Sequence, residues 1–197
     1  MILTGPEILE QRQAGRLSIE PFNLEQLNPN SYNLRLGSQL AVYVSSFGES
    51  NLAEWVAHET SLPVAQLDCR ADNKVWRFDI PERGYLLHPG KLYLGSTIER
   101  TTSDVFVPML NGRSSLARLG ISIHQTGGFG DVGFKGTWTL ELTCVEPVRI
   151  YAGIEVCQIQ FWECKGDVQL YDGKYSNRDR PVPCKLYEEL RTKEKEQ

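Results

Sequence analysis

Short apolar segments separated by glycine and proline recur along most of the chain, and they limit the folds that it can adopt. From Leu34 to Val44, apolar residues fall on alternate positions, which is the pattern of a half-buried strand. Further strand-like segments lie at 76–80, 92–98, 105–109, 121–125, 137–144, 148–151 and 155–162. Many short strands with turn residues between them predict an all-β sandwich or barrel.

Two short helices interrupt this pattern. Thr4 and Glu7 have the spacing of a capping box, which predicts a helix ending near Gly15. A second helix is expected from Ser114, a favourable N-cap residue, to Leu119. With 197 residues, the chain has the length of a single domain, 1–197.

Two regions differ in composition from the strands. Residues 45–75 are polar and acidic and predict a surface excursion, for which the sequence indicates no chemical role. Residues from about 165 to 197 are polar and then densely charged. We expect this last region to form a mobile C-terminal tail.

The charge balance narrows the class of partner. Lys and Arg number 21 and Asp and Glu number 25, giving a formal net charge of −4. Binding to nucleic acid depends on an excess of basic residues, so no nucleic-acid partner is expected. No stretch approaches the ~20 apolar residues of a membrane-spanning helix, and the N-terminus lacks the pattern of a signal peptide. A cytoplasmic protein without a membrane partner is therefore expected.

The cysteine and histidine pattern bears on metal chemistry. The five cysteines are widely spaced and include no Cys-x-x-Cys, which favours reduced thiols in the cytoplasm. No His-x-Glu occurs together with Pro-Cys-x-x-Cys, the signature of the zinc deaminases. The sequence therefore predicts no zinc site.

The segment 111–120 is a candidate anion site. Ser114 and Ser115 stand at a predicted helix start, where free backbone N–H groups and the helix dipole favour negative charge. Arg113 and Arg118 add guanidinium groups that suit phosphate. The alternative is an ordinary capped turn with two surface arginines.

The segment 124–142 is a second candidate. Its glycine-rich loop would let backbone approach a ligand closely, and Asp131 in that loop is placed to accept a hydrogen bond from a sugar hydroxyl. Glu141 shares one face of the predicted strand with threonines, whereas Leu140 and Leu142 share the other. A desolvated glutamate there could transfer protons. The alternatives are a turn aspartate and a solvated strand face.

Together these segments resemble the dCTP deaminase family of the trimeric dUTPase superfamily. The two central segments are Arg113-Ser114-Ser115-Leu116-Ala117-Arg118-Leu119-Gly120 and Asp131-x-Gly133-Phe134-x-Gly136 with Thr139-Leu140-Glu141. Supporting segments are Ser31-Tyr32-Asn33-Leu34-Arg35-Leu36-Gly37, similar to the family's Ser-x-Asp-x-Arg-Leu-Gly, and Gly153-x-x-Val156-x-Gln158-Ile159-x-Phe161. Lys174-Tyr175 followed by Pro181-x-Pro183-x-Lys185 resembles the family's C-terminal lid, which implies a mobile lid and tail over about 165–197. The resemblance implies a dUTPase-type fold, a distorted β-barrel or jelly roll.

The resemblance also implies a role for each matching residue. Glu141 would be the general base that deprotonates a water attacking C4 of cytosine, Ser114 would position that water, and Arg118 would orient the glutamate or stabilise developing charge. No metal would activate the water. The implied substrate-binding residues are Arg113, Ser115, Leu116 and Ala117 for phosphate, Asp131 for the deoxyribose, Thr139 and Leu140 for the base edge, and Gln158, Tyr171, Lys174 and Arg178 around the triphosphate.

The resemblance also implies products, partners and an assembly. The first expectation is a dCTP deaminase that yields dUTP and ammonia for dUMP and dTTP synthesis. The alternatives are a bifunctional deaminase–diphosphatase that yields dUMP and pyrophosphate, a dUTPase, and a non-catalytic nucleotide-binding trimer. The family implies a homotrimer with active sites between subunits, Mg²⁺ carried on the substrate phosphates, and dTTP as an inhibitor.

Overall fold

The structure is a computed structural model that describes residues 1–44, 52–59, 62 and 65–195. Within these residues the chain forms four α-helices, one 3-10 helix (Leu24–Gln26) and eleven strands. The helices are α1 (Gly5–Gln13), α2 (Leu52–Ala57), α3 (Ser114–Ala117) and α4 (Leu186–Lys195). The strands are β1 (Leu17–Glu20), β2 (Tyr32–Arg35), β3 (Gln39–Tyr43), β4 (Val75–Asp79), β5 (Tyr85–Leu87), β6 (Tyr93–Ser103), β7 (Phe106–Gly112), β8 (Ile121–Ser122), β9 (Lys135–Cys144), β10 (Val148–Ile150) and β11 (Glu155–Glu163).

The strands form three antiparallel sheets, none of which closes on itself among the described residues. The largest has the order β4-β3-β6-β9-β8, with β1 also paired to β6. A second sheet has the order β2-β11-β7, and β5 pairs with β10. Apolar side chains from all three sheets pack into one core, so the prediction of an all-β fold with few helices is confirmed.

The predicted strand from Leu34 to Val44 is two strands, β2 and β3. The chain turns between them at Gly37, whose N–H donates to the Ser96 carbonyl at 2.7 Å. Simple alternation fails in β3 because both faces of this strand are covered. Leu40 and Val42 belong to the main core, whereas Ala41 and Tyr43 pack with Leu94 in a second cluster.

Several other boundaries differ from those expected. The segment predicted as a strand at 121–125 pairs only at Ile121–Ser122, and β7 runs on to Gly112. The N-cap of α3 is Arg113 rather than Ser114, without a side-chain cap, and the helix ends at Ala117. The expected cap of α1 is present, since the Thr4 hydroxyl accepts from the Glu7 N–H at 3.4 Å. Strands β1 and β5 and helices α2 and α4 were not predicted.

The C-terminal residues pack against β9. The Asn177 N–H donates to the Lys135 carbonyl at 2.6 Å, and the Thr137 N–H donates to the Arg178 carbonyl at 2.9 Å. The tail therefore lies beside the strand that carries Glu141.

Of the predicted excursion at 45–75, residues 45–51, 60–61 and 63–64 lie outside the described part, and the described remainder includes α2. None of the described helices is both long enough and apolar enough to cross a membrane.

Candidate active site

Glu141 lies in the wall of a cavity of about 450 Å³, which we call the Glu141 pocket. Its backbone N–H donates to the Ile123 carbonyl at 2.8 Å, which fixes this part of β9 against the chain after β8. One carboxylate oxygen, Oε2, accepts a hydrogen bond from the Gln125 N–H at 2.8 Å. The side chain is half-buried. The carboxylate is thus anchored through one oxygen while the residue faces a ligand-sized space.

The glycine-rich loop forms another side of the pocket, and its glycines permit close packing. A Cβ at Gly128 would lie 1.6 Å from the Leu110 carbonyl oxygen, and one at Gly130 would lie 2.4 Å from the Trp138 ring. Side chains at these positions would displace the loop. Asp131 is exposed at the rim of the pocket, where it remains available to a ligand.

The tail closes the remaining side of the pocket. Tyr171 and Tyr175 line it, together with the segment 182–184. Gly133 has φ of 91° and lies so close to the tail that a Cβ would be 2.8 Å from the Tyr171 backbone nitrogen. The glycine at this position is required both by the backbone conformation and by the approach of the tail.

A second region, which we call the arginine–serine turn, comprises residues 113–118. Ser114, Ser115 and Arg118 are exposed there. Arg113 Nη1 forms an ion pair with Glu155 Oε2 at 2.8 Å and donates to the Glu155 carbonyl at 3.0 Å. These contacts fix the direction of one guanidinium and leave the serine hydroxyls facing outward.

Gln158 lies beside the arginine–serine turn rather than in the Glu141 pocket. Its Nε2 donates to the Gly112 carbonyl at 3.3 Å, and its Oε1 accepts from the Ser31 hydroxyl at 2.7 Å. The ion-paired Glu155 receives a further hydrogen bond from Asn33 Nδ2, at 3.0 Å. The two segments of β2 and β11 that resemble the family therefore both support the turn.

The predicted site residues thus fall into two groups within one chain. Those that line the Glu141 pocket are Asp131, Thr139, Leu140, Glu141 and Tyr171. Those outside it are Arg113, Ser114, Ser115, Leu116, Ala117, Arg118, Gln158, Lys174 and Arg178. The proposed base is therefore separated from the serine and arginine expected to act with it.

The two predicted cations of the tail make contacts within the tail or with β9. Lys174 pairs with Glu189 of α4, and its ammonium lies 5.1 Å from the centroid of the Tyr175 ring. Arg178 is held by its backbone, because its carbonyl accepts from the Thr137 N–H and hydroxyl. Its side chain is exposed.

Three residues of the site had no signal in the sequence. Tyr43 lines the Glu141 pocket, Gln125 binds the glutamate through its backbone, and Glu155 holds Arg113. Burial raises the pKa of Tyr43 above its ordinary value, and the hydrogen bond that its hydroxyl accepts from the Cys184 N–H opposes this shift. The alternation in the sequence places Tyr43 on the outer face of its strand. Its place in the Glu141 pocket becomes apparent only from the position of the tail.

The described residues contain no group of three or more His, Cys, Asp or Glu side chains that could hold a metal ion. Mg²⁺ often binds through the phosphates of a substrate with few protein ligands.

The fold and the site define an antiparallel β protein with a small-molecule pocket built around a carboxylate. Comparison with known proteins narrows this class. A family model described as dCTP deaminase-like matches residues 2–164. The chain therefore belongs to the dCTP deaminase-like family.

Curated relatives extend the match to nearly the whole chain. A Clostridium acetobutylicum protein named "dCTP deaminase, dUMP-forming" is 47% identical over 191 residues, covering 96% of this chain and 99% of the relative. Proteins with the same name from Hathewaya histolytica and Leptospira biflexa are 48% and 46% identical, covering 96% and 98% of this chain and 99% and 100% of their own. The tail, which lies beyond the family model, is thus largely within these matches.

A solved structure supports the fold. The 2'-deoxycytidine 5'-triphosphate deaminase from Agrobacterium tumefaciens superposes with a TM-score of 0.58 at 22% identity. The match covers 81% of this chain and 47% of that chain. At this identity the likeness concerns the fold alone, and it agrees with the dUTPase-type fold expected from the sequence.

Proposed function

We propose that this protein converts dCTP to dUMP, ammonia and pyrophosphate with the consumption of two water molecules. The observation that supports it most is the set of relatives named as dUMP-forming dCTP deaminases, which are 46–48% identical over nearly the whole chain. Of the enzyme activities expected from the sequence, these names favour the bifunctional one over a deaminase that releases dUTP.

The deamination step is assigned to the Glu141 pocket. Glu141 takes a proton from a water molecule, the resulting hydroxide forms a bond to C4 of cytosine, and the proton is delivered to N3. The hydroxyl proton of the C4 adduct then passes through Glu141 to the amino group, the C4–N4 bond breaks, and ammonia leaves as C4 becomes a carbonyl. The Gln125 N–H, 2.8 Å from one carboxylate oxygen, would hold the glutamate in place while the other oxygen meets the water.

The second water cleaves the bond between the α- and β-phosphates and releases pyrophosphate. Arg113, Ser115 and the backbone of the arginine–serine turn are the groups that we assign to phosphate, with Gln158 beside them. The tail residues Lys174 and Arg178 would add charge near the triphosphate. Mg²⁺ bound to the phosphates would neutralise part of their charge.

The active unit is proposed to be a homotrimer in the cytoplasm. Ser114 and Arg118 are exposed and do not line the Glu141 pocket of their own chain. A neighbouring subunit can supply them if the arginine–serine turn of one chain meets the Glu141 pocket of the next. Asp131 at the rim of the pocket would then bind the deoxyribose 3'-hydroxyl between the two.

A single incubation tests the proposal. The purified protein is mixed with dCTP and Mg²⁺, and dCTP, dUTP and dUMP are separated by chromatography while ammonia and pyrophosphate are measured. We expect equal amounts of dUMP, ammonia and pyrophosphate, and inhibition by added dTTP. Accumulation of dUTP with no pyrophosphate would show a simple deaminase, and bound but unchanged dCTP would show a non-catalytic nucleotide-binding protein.

A further inference from the structure

The side-chain amide of Gln158 joins all three strands of one sheet. Gln158 lies in β11, the central strand of the order β2-β11-β7. Its Oε1 accepts from the hydroxyl of Ser31, the residue before β2, at 2.7 Å. Its Nε2 donates to the carbonyl of Gly112, the last residue of β7, at 3.3 Å. The amide is therefore held from both sides at the place where the arginine–serine turn begins.

The two contacts fix the orientation of the amide. A main-chain carbonyl can only accept a hydrogen bond, so the amide nitrogen must face Gly112 and the amide oxygen must face Ser31. The Ser31 hydroxyl is then the donor. Ser31 is 4% exposed and Gln158 is half-buried, so their hydrogen bond is partly shielded from water.

The amide keeps one donor in reserve. A glutamine nitrogen carries two N–H groups. Gly112 accepts from one of them, and no protein group within the described part of the chain accepts from the other. Because Gln158 lies beside the turn to which we assign phosphate, this second N–H is available to the same ligand.

The Ser31 hydroxyl is the group on which this arrangement depends. Without it, the amide oxygen of Gln158 would lose its donor in a partly buried place, which is unfavourable. We expect the amide to rotate toward water, which would also break its contact with Gly112. The free N–H would then have to be ordered again each time a ligand binds, at a cost to affinity.

We propose that Ser31 is a positioning residue, which holds the Gln158 amide ready to donate its second N–H to the phosphate chain of the nucleotide. The inference rests on the proposed function and adds Ser31, which does not itself touch the substrate. A hydrogen bond to a charged phosphate oxygen is stronger than one between neutral groups. Since the phosphates take no part in deamination, this contact should affect binding of dCTP rather than the deamination step.

The test compares a ligand that has phosphates with one that has none. Ser31→Ala should raise KM for dCTP about 2- to 10-fold while kcat for ammonia release stays within about 2-fold. Deoxycytidine, used as a competitive inhibitor, should keep its inhibition constant. An equal rise for deoxycytidine, an unchanged KM, or a fall in kcat alone would overturn the proposal.

A matched control separates this role from a general loss of stability. Ser103 is also buried, at 3% exposure, and its hydroxyl accepts from the Phe106 N–H at 2.9 Å. Ser103→Ala therefore removes a hydrogen-bonded serine hydroxyl away from Gln158, and KM for dCTP should stay unchanged. A rise as large as that of Ser31→Ala would show that the effect is not specific to Ser31 and would refute the positioning role.

A second variant tests the amide itself and does not depend on how well Ser31→Ala folds. Gln158→Ala should raise KM for dCTP at least as much as Ser31→Ala, again without a change for deoxycytidine. Adding Ser31→Ala to Gln158→Ala should cause no further rise, because the group that Ser31 positions is gone. An unchanged KM in Gln158→Ala, or a further rise in the double variant, would overturn the proposal.

These outcomes differ from a failure of the proposed function. If the wild-type protein neither binds nor converts dCTP, the proposed function is wrong. If it converts dCTP while the Ser31 and Gln158 variants keep the wild-type KM, only the further inference is wrong.

Discussion

The Glu141 pocket and the arginine–serine turn differ in how much of a site each completes. The pocket collects residues from β3, from β9, from the glycine-rich loop and from the tail, and its carboxylate is hydrogen-bonded at 2.8 Å. The turn belongs to a helix of four residues and leaves Ser114, Ser115 and Arg118 exposed. One chain therefore encloses the Glu141 pocket, whereas the groups to which we assign phosphate face outward.

The largest expected effect comes from the pocket. Glu141→Gln keeps the size of the side chain but removes the base, so we expect kcat for ammonia release to fall about 10²- to 10⁴-fold. Calorimetry should show that dCTP still binds, because the groups to which we assign phosphate lie in the other region. Near-normal ammonia release would contradict the role given to Glu141.

Mixing inactive subunits tests whether the two regions of one site come from different chains. Glu141→Gln and Arg118→Ala proteins, each inactive, should regain activity when they are unfolded, mixed and refolded together. Random assembly leaves about a quarter of the interfaces with both residues intact. A matched control mixes the Glu141→Gln protein with the double variant, which contains no intact interface. Mixtures as inactive as their components would show that each site is built from one chain.

Asn33 supports the arginine–serine turn, and it stands where the related family segment has an aspartate. Its amide donates to Glu155, and Glu155 pairs with Arg113. Asn33→Asp would set two carboxylates against each other, so we expect the free energy of unfolding to fall by about 1–3 kcal/mol and KM for dCTP to rise.

The rescue variant makes this test specific to the contact. Asn33→Asp combined with Glu155→Gln restores an amide–carboxylate pair with the donor and acceptor exchanged, and should recover part of the lost stability in chemical denaturation. If the double variant is as unstable as the sum of its single changes, the contact between these side chains does not explain the asparagine.

The comparison also shows which parts of the site were visible in the sequence. The two faces of β9 were predicted correctly, because Leu140 and Leu142 are buried in the core while Glu141 stays half-buried at the pocket. The sequence pattern sufficed there because only one face of that strand meets the main core. Local periodicity reports on that kind of asymmetry.

Contacts over long sequence distances were not visible in the same way. Tyr43 is buried because Cys184, far along the chain, packs on its hydroxyl, and this removes the alternation in β3. Glu155 forms its ion pair with Arg113 because the pairing of β11 with β7 brings the two residues together, and local sequence does not show this pairing. Strand β5 pairs over only three residues, too few for a periodic pattern.

The smallest expected effect concerns a contact in neither region, and it gives a baseline for the others. Glu59, which follows α2, accepts hydrogen bonds from Arg149 Nη1 and Nη2 at 2.6 and 2.7 Å. These bonds hold the pKa of Glu59 below its ordinary value, while desolvation opposes the shift. A carboxyl whose pKa is lowered on folding stabilises the folded state above the pKa that it has when unfolded, and this contribution is lost as the pH falls through the folded value.

Glu59→Gln should therefore lower the midpoint of thermal unfolding by about 1–3 °C near pH 7, because a partly exposed ion pair contributes little. The difference from the wild type should narrow as the pH falls below about 4, where the unfolded carboxyl is already protonated. Glu146→Gln, which removes the same charge from an exposed residue, serves as the control. Turnover of dCTP at 25 °C should not change in either variant. A midpoint difference for Glu59→Gln that stays constant down to pH 3 would show that the amide disturbs packing rather than an ion pair.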